Sequence, residues 1–272
     1  MNKKGVFAAF SAVTAISVVL RIFEMLSLTE YDTGFIKLDK TAAYYTVLAV
    51  MALLLCLALA LAVLNRPAPE KSKSFNLFTS IFSLFLGIAA VIDVQNQKYI
   101  SVPAFLKTAC VVLAFATAVF FALFAIRPFI HFRLLPELSV LPVLFFTVKA
   151  ATVFISCSFH SVLSETVFDI GAYSFCMLFF LELARSVNKL TSEKSNTKKL
   201  LILGILSSYF SFCASLPRLI TAIVNKSALH DSGFAGFLPL FMGFYIASVI
   251  FTRITFDPVA RRKMGIYYVS KH

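Results

Sequence analysis

Eight apolar runs follow one another along this chain, at residues 5–26, 42–64, 75–92, 105–126, 138–159, 166–184, 200–224 and 233–254. An α-helix rises 1.5 Å per residue, so about 20 apolar residues cross the ~30 Å of hydrocarbon in a bilayer. The runs lie close to that length. Water is excluded as their solvent, because 60% of the residues are hydrophobic and 14% are charged, whereas about a quarter of an ordinary globular chain is charged. The pattern predicts an all-α fold: a polytopic transmembrane helix bundle of about eight spans. The stretches between the runs are short, the longest being 27–41 and 185–199. A single integral membrane domain over residues 1–272 is therefore expected.

Charge placement predicts the orientation. With the N-terminus inside, seventeen of the 25 basic residues fall in cytoplasmic stretches, five fall outside and three lie within spans. Cytoplasmic enrichment of Lys and Arg orients membrane proteins, so both termini are expected in the cytoplasm. Adding or removing one span would invert every later loop and spoil this alternation. The net charge of +12 is thus read as topological, and no nucleic-acid partner is implied. The opening Met1-Asn2-Lys3-Lys4 imitates a secretory signal, yet the apolar stretch after it is long and carries Arg21 and Glu24. A retained first helix fits better than a cleaved leader.

Ionisable residues inside the spans are the most informative feature. Counted from the cytoplasmic start of each helix at 1.5 Å per residue, Arg21 lies roughly 24 Å up and Arg218 roughly 27 Å up. Both belong to the outer leaflet. Glu24 sits three residues after Arg21, within reach of an intrahelical pair. Asp93 ends the third span at similar height, Glu165 and Asp169 open the sixth, and Lys149 lies near the middle of the fifth. An unpaired charge at that depth costs at least about 2.5–3.5 kcal/mol, so such groups face a bundle interior, a partner or a watery cavity. Arg21, Glu24, Asp93, Lys149, Asp169 and Arg218 are expected to converge as a candidate substrate-binding set. Two readings stay open: a site for a small polar solute, or a salt-bridge network that only holds the bundle together.

Other signals are weaker. Pro217 beside Arg218 removes one backbone hydrogen bond from the seventh helix and frees a carbonyl. Asp32-Thr33-Gly34-Phe35, Asp169-Ile170-Gly171-Ala172 and Asp231-Ser232-Gly233-Phe234 share a pattern suited to turns that open inward-running helices. Tyr31, Tyr44, Tyr45, Tyr99 and Tyr173 fit an outer interfacial belt. The cysteines (Cys56, Cys110, Cys157, Cys176 and Cys213) lie in apolar runs without a CxxC and read as small buried hydrophobes. His131, His160, His230 and His272 show no matched intramembrane pair that would hold a haem, so no cofactor and no metal are expected. No catalytic residue is assigned, since HExxH, GxSxG and P-loop motifs are absent from the sequence. The basic tail with Arg261-Arg262-Lys263 and Tyr267-Tyr268 suits anionic lipid or simple anchoring.

At Leu20-Arg21-Ile22-Phe23-Glu24 and Asp32-Thr33-Gly34-Phe35 the chain resembles uncharacterised multi-span membrane proteins of Gram-positive anaerobes. The resemblance covers about the first forty residues. It implies a bacterial cytoplasmic membrane and supplies no activity. Three classes of function follow from the residues. A transporter or permease-like protein would bind a small solute in an outward-facing polar site. A sensor or accessory subunit would relay to a cytoplasmic partner through the basic 185–199 segment. A membrane enzyme ranks lowest, for want of a nucleophile or an acid and base pair.

Overall fold

The computed structural model of the protein describes residues 3–29, 36–64, 67–69, 77–96, 102–126, 136–158, 164–188, 190, 193–224 and 236–256. Among these residues are eight α-helices: α1 Lys3–Phe23, α2 Thr41–Leu64, α3 Leu77–Asn96, α4 Ala104–Ile126, α5 Val140–Ser158, α6 Ser164–Val187, α7 Glu193–Val224 and α8 Phe237–Arg253. Seven helices are long and apolar enough to cross a membrane, and α8 is an apolar helix of 17 residues. The protein is therefore an all-helical, membrane-embedded bundle. Helices suit these runs because hydrocarbon offers no partner to a free backbone N–H or C=O, and a helix pairs both internally. Hydroxyls within the helices are satisfied in the same way: Ser211 donates to the Ser207 carbonyl (2.6 Å) and Ser215 to the Ser211 carbonyl (2.7 Å).

Packing follows chain order for most neighbours, with three further contacts that shape the bundle. α8 packs on α3, so α3, α4, α5, α6, α7 and α8 form a closed ring. The hairpin of α1 and α2 lies outside that ring and rests on α7. α7 consequently touches the ring on one side and the hairpin on the other, and it is the most enclosed helix: 72% of its apolar window is buried, against 17% for α2. The middle of the ring is filled by aromatic side chains. Phe180 packs against Phe121 (5.7 Å between centroids), Phe146 (5.5 Å) and Tyr245 (5.9 Å). Its centre is a packed core.

Close approach within the ring depends on small residues. A Cβ at Gly87 of α3 would lie 3.2 Å from the backbone oxygen of Ala118 on α4. Beside it, Ser83 donates to the Phe121 carbonyl (2.8 Å).

Two short strands, β1 Pro67–Pro69 and β2 Ile254–Phe256, pair antiparallel with Ala68 opposite Thr255. They follow α2 and α8 directly, so the C-terminal ends of those helices meet at one end of the bundle. Six helices lie between these two ends in sequence, and an even number of crossings returns a chain to the side it left.

Several expectations change. The inner 185–199 stretch is largely helix, because α6 continues to Val187 and α7 starts at Glu193. Asp169-Ile170-Gly171-Ala172 lies inside α6, which begins at Ser164. Gly171 has a packing role there, since a Cβ would come within 2.8 Å of the Phe210 ring. Tyr44 and Tyr173 are buried rather than interfacial, while Tyr45 is exposed. Cys56 is exposed on α2, whereas Cys110, Cys176 and Cys213 are buried. α7 runs through Pro217 as one helix. The other two Asp-x-Gly patterns, Tyr31, Tyr99, the four histidines and the tail lie outside the described residues.

Candidate functional site

α1 and the turn that continues it present Thr14, Ser17, Arg21 and Glu24 at spacings of three and four residues, so one face is polar, and all four side chains are buried. At Glu24 the helix widens into a π-helical turn, Glu24–Leu28. Such turns are uncommon and recur at functional sites. Here Thr29 Oγ1 donates to the Glu24 carbonyl (3.0 Å) and Lys40 Nζ to the Ser27 carbonyl (3.0 Å), which fixes the turn.

The six intramembrane charges are arranged as three ion pairs. Arg21 Nη1 pairs with Glu24 Oε1, three residues along the same helix. Lys149 Nζ of α5 pairs with Asp93 Oδ2 of α3. Arg218 of α7 donates through Nη2 to Asp169 Oδ2 of α6 (2.9 Å), with Glu165 Oε2 lying 3.5 Å from its Nε. That last approach has no hydrogen-bond geometry, leaving Nε without a hydrogen-bond partner among the described residues. The first two pairs are sealed from the surface, with side chains no more than 1% exposed.

The first turns of α6 bring the three pairs together. The Arg21 guanidinium stacks over the Phe168 ring at 4.4 Å. The next residue, Asp169, holds Arg218. One turn further on, Tyr173 presents its ring to Lys149 Nζ at 5.7 Å. A helix puts residues 169 and 173 on one face and 168 on the neighbouring one, so α6 can meet α1, α7 and α5 at a single level. Charges from five helices thereby gather at the end of the bundle where α1, α3 and α7 finish and α6 begins. Each cation is matched by a carboxylate, so the cluster is internally neutralised rather than spread around an open cavity.

A cleft of about 220 Å³ lies beside the cluster, between α2 and α6 with α7 as its floor. Its walls are apolar and aromatic, and none of the six charged side chains lines it. Phe168 belongs to both places: it forms part of the cleft wall and carries Arg21 on its ring.

Glu165 joins the site as a second carboxylate beside Arg218. It lies four residues before Asp169, on the same face of α6, and the sequence shows it only as one of the two acids that open the sixth span. Phe168 carries no sequence signal that separates it from the many other aromatics, and Tyr44 and Tyr173 stand out in the sequence only as boundary tyrosines, not as neighbours of the charges. Glu182 is buried on α6 and pairs with Arg185 (2.9 Å), which is 45% exposed. It stands inside the run Phe180-Leu181-Glu182-Leu183, a signal legible in the sequence. Among the described residues no group of three or more His, Cys, Asp and Glu side chains could hold a metal ion. Comparison with known families, with curated proteins and with solved structures finds no match to this chain.

Proposed function

We propose that the protein is a permease-like transporter of a bacterial cytoplasmic membrane. It forms a single membrane domain with both termini in the cytoplasm, and its polar site faces outward and takes a small solute. Arg21, Arg218 and Lys149 contact the solute, with Glu24, Asp93 and Asp169 tuning their charge. The observation that supports this most is the gathering of three ion pairs, two fully buried and one partly buried, around the start of α6. Replacing a buried pair by apolar side chains is often neutral or stabilising, so such pairs are weak devices for holding a fold together. In a membrane, ionisable groups mark solute or proton pathways more often than scaffolding. A pair is also easily converted to solute binding: a charged solute displaces one partner and inherits its contact. The packed aromatic centre of the ring directs the path along α1, α6 and α7.

The test is solute-driven current or uptake in proteoliposomes holding the purified full-length protein, across amino acids, organic acids and monovalent cations. Arg21→Ala and Arg218→Ala should each cut the wild-type signal at least about ten-fold while inserting at normal abundance. Wild-type rates in both variants, or no response to any solute class, would overturn the proposal. In the latter case a stoichiometric protein that copurifies through the α6–α7 junction would favour a sensor or accessory subunit.

A further inference from the structure

We propose that Asp169 binds a proton, which Glu165 takes from the outer water and hands on, so that the ion coupled to solute movement is the proton. This rests on the transport reading above and names the ion that drives that same site.

Charge is balanced in two of the ion pairs and not in the third. Arg21 answers Glu24, and Lys149 answers Asp93. Arg218 instead answers two carboxylates, Asp169 through Nη2 (2.9 Å) and Glu165 near Nε (3.5 Å). The charges that act on Asp169 are Arg218 of α7, Glu165 of its own helix and Lys149 of α5, and Lys149 has Asp93 as its countercharge. Arg21 of α1, which reaches the neighbouring Phe168 ring, has Glu24. Among the described residues the Arg218 group therefore carries a surplus negative charge. Acids four residues apart on one helix face repel each other, and two carboxylates that share a site resist being ionised together. Glu165 is 41% exposed and can leave its charge in water, whereas Asp169 and Arg218 are 17% and 10% exposed. At Asp169 the surplus is costly, and one monovalent cation removes it.

The geometry selects the proton among such cations. Asp169 Oδ2 is held by Arg218, but Oδ1 is buried and has no hydrogen-bond partner among the described residues. Neither Asp169 nor Glu165 lines the cleft beside the cluster. A metal ion or an ammonium needs a shell of oxygens and room for it, while a proton needs one lone pair, which Oδ1 offers. Protonation there leaves the contact between Oδ2 and Arg218 in place.

Exposure falls from Glu165 through Asp169 to Arg218, which gives the route. A hydronium ion gives its proton to Glu165 and becomes water. The proton then moves to Asp169 Oδ1, one helical turn deeper, and Glu165 returns to carboxylate. The transfer is short because both acids reach nitrogens of one guanidinium. With Asp169 neutral, Arg218 keeps Glu165 alone as countercharge, and its Nε, which has no hydrogen-bond partner among the described residues, is released toward a solute. Proton and solute thus meet at Arg218.

The experiment records infrared difference spectra of the full-length protein in nanodiscs between about pH 5 and about pH 8, where exposed carboxylates are largely ionised. Wild type should show the C=O stretch of a protonated carboxyl, lost as the pH rises through that window. Asp169→Asn should abolish the band. Glu165→Gln removes the competing charge, so the midpoint of the loss should fall by at least about one pH unit. Glu165 is the exposed member of the group, so this variant still decides if Asp169→Asn fails to fold. Absence of the band from wild type, its persistence in Asp169→Asn, or an unmoved midpoint in Glu165→Gln would overturn the inference. A proton bound as expected, with no solute moved in proteoliposomes, leaves the site standing and removes the transport reading. Arg218-dependent solute movement without the carboxyl band does the reverse.

Discussion

Lys149 shows what a single charge costs and gains in this molecule. Its side chain lies fully buried on α5, and Asp93 of α3 supplies the countercharge. Removing one member leaves the other charged in a medium that cannot solvate it, a loss of about 3–5 kcal/mol for buried pairs. Asp93→Asn should therefore lower the thermal midpoint of the detergent-solubilised protein sharply. The double variant Asp93→Leu with Lys149→Met should return to wild-type stability within about 1 kcal/mol, because both desolvated charges are gone. A double variant as unstable as the single one would show that the pair itself, and not the orphaned charge, holds α3 to α5. Glu165 is the contrast. At 41% exposure and with Asp169 already bound to Arg218, Glu165→Gln should cost no more than about 1 kcal/mol.

Among the elements, α3 and α4 depend on the missing side chain at Gly87. Transmembrane helices gain no hydrophobic energy from leaving lipid, so close backbone approach and interhelical hydrogen bonds carry much of their association. Gly87 provides the approach, and Ser83 provides the bond to the Phe121 carbonyl. Gly87→Leu should push the two helices apart at a cost of about 3 kcal/mol, read as loss of monodisperse protein on size-exclusion chromatography. Normal elution and melting of that variant would show that the contact has slack. α7 illustrates how little an isolated helix reveals. Its buried serines, Pro217 and Arg218 were all visible in the sequence, but nothing local shows that it is the helix shared by the ring and by the α1–α2 hairpin.

For the whole molecule, the β1–β2 pair ties the end of α2 to the end of α8 and fixes the parity of the crossings between them. Opposed residues in an antiparallel pair lie about 4.5–5.5 Å apart at Cα, within the span of a disulfide. In a variant lacking the native cysteines, Ala68→Cys with Thr255→Cys should cross-link on mild oxidation, shifting mobility on a gel. Absence of the cross-link would break the parity of the six intervening helices. The same cysteines, kept reduced, should react with a membrane-impermeant thiol reagent only from the cytoplasmic side. That outcome is the one expected if the side of the bundle that holds seventeen basic residues, against five on the other, faces the cytoplasm. Labelling from outside alone would invert the whole arrangement.

Hydropathy alone marked out the eight helices, since lipid admits only segments that satisfy their own backbone and that requirement is local, but it set the start of α7 seven residues late, because the polar first turns of that helix carry no apolar signal. The same logic marked Arg21, Glu24, Asp93, Lys149, Asp169 and Arg218, because a charge in an apolar run stands out without knowledge of its neighbours. Their partners were another matter. Arg21 with Glu24 was legible from a spacing of three along one helix, but Lys149 with Asp93 and Arg218 with Asp169 join residues 56 and 49 positions apart. Those matches, the burial of Tyr44 and Tyr173, and the cleft beside Phe168 were decided by tertiary packing. Which faces meet is set by side-chain fit between helices remote in sequence, and a run of Leu, Phe and Ala looks the same whether it faces lipid or protein.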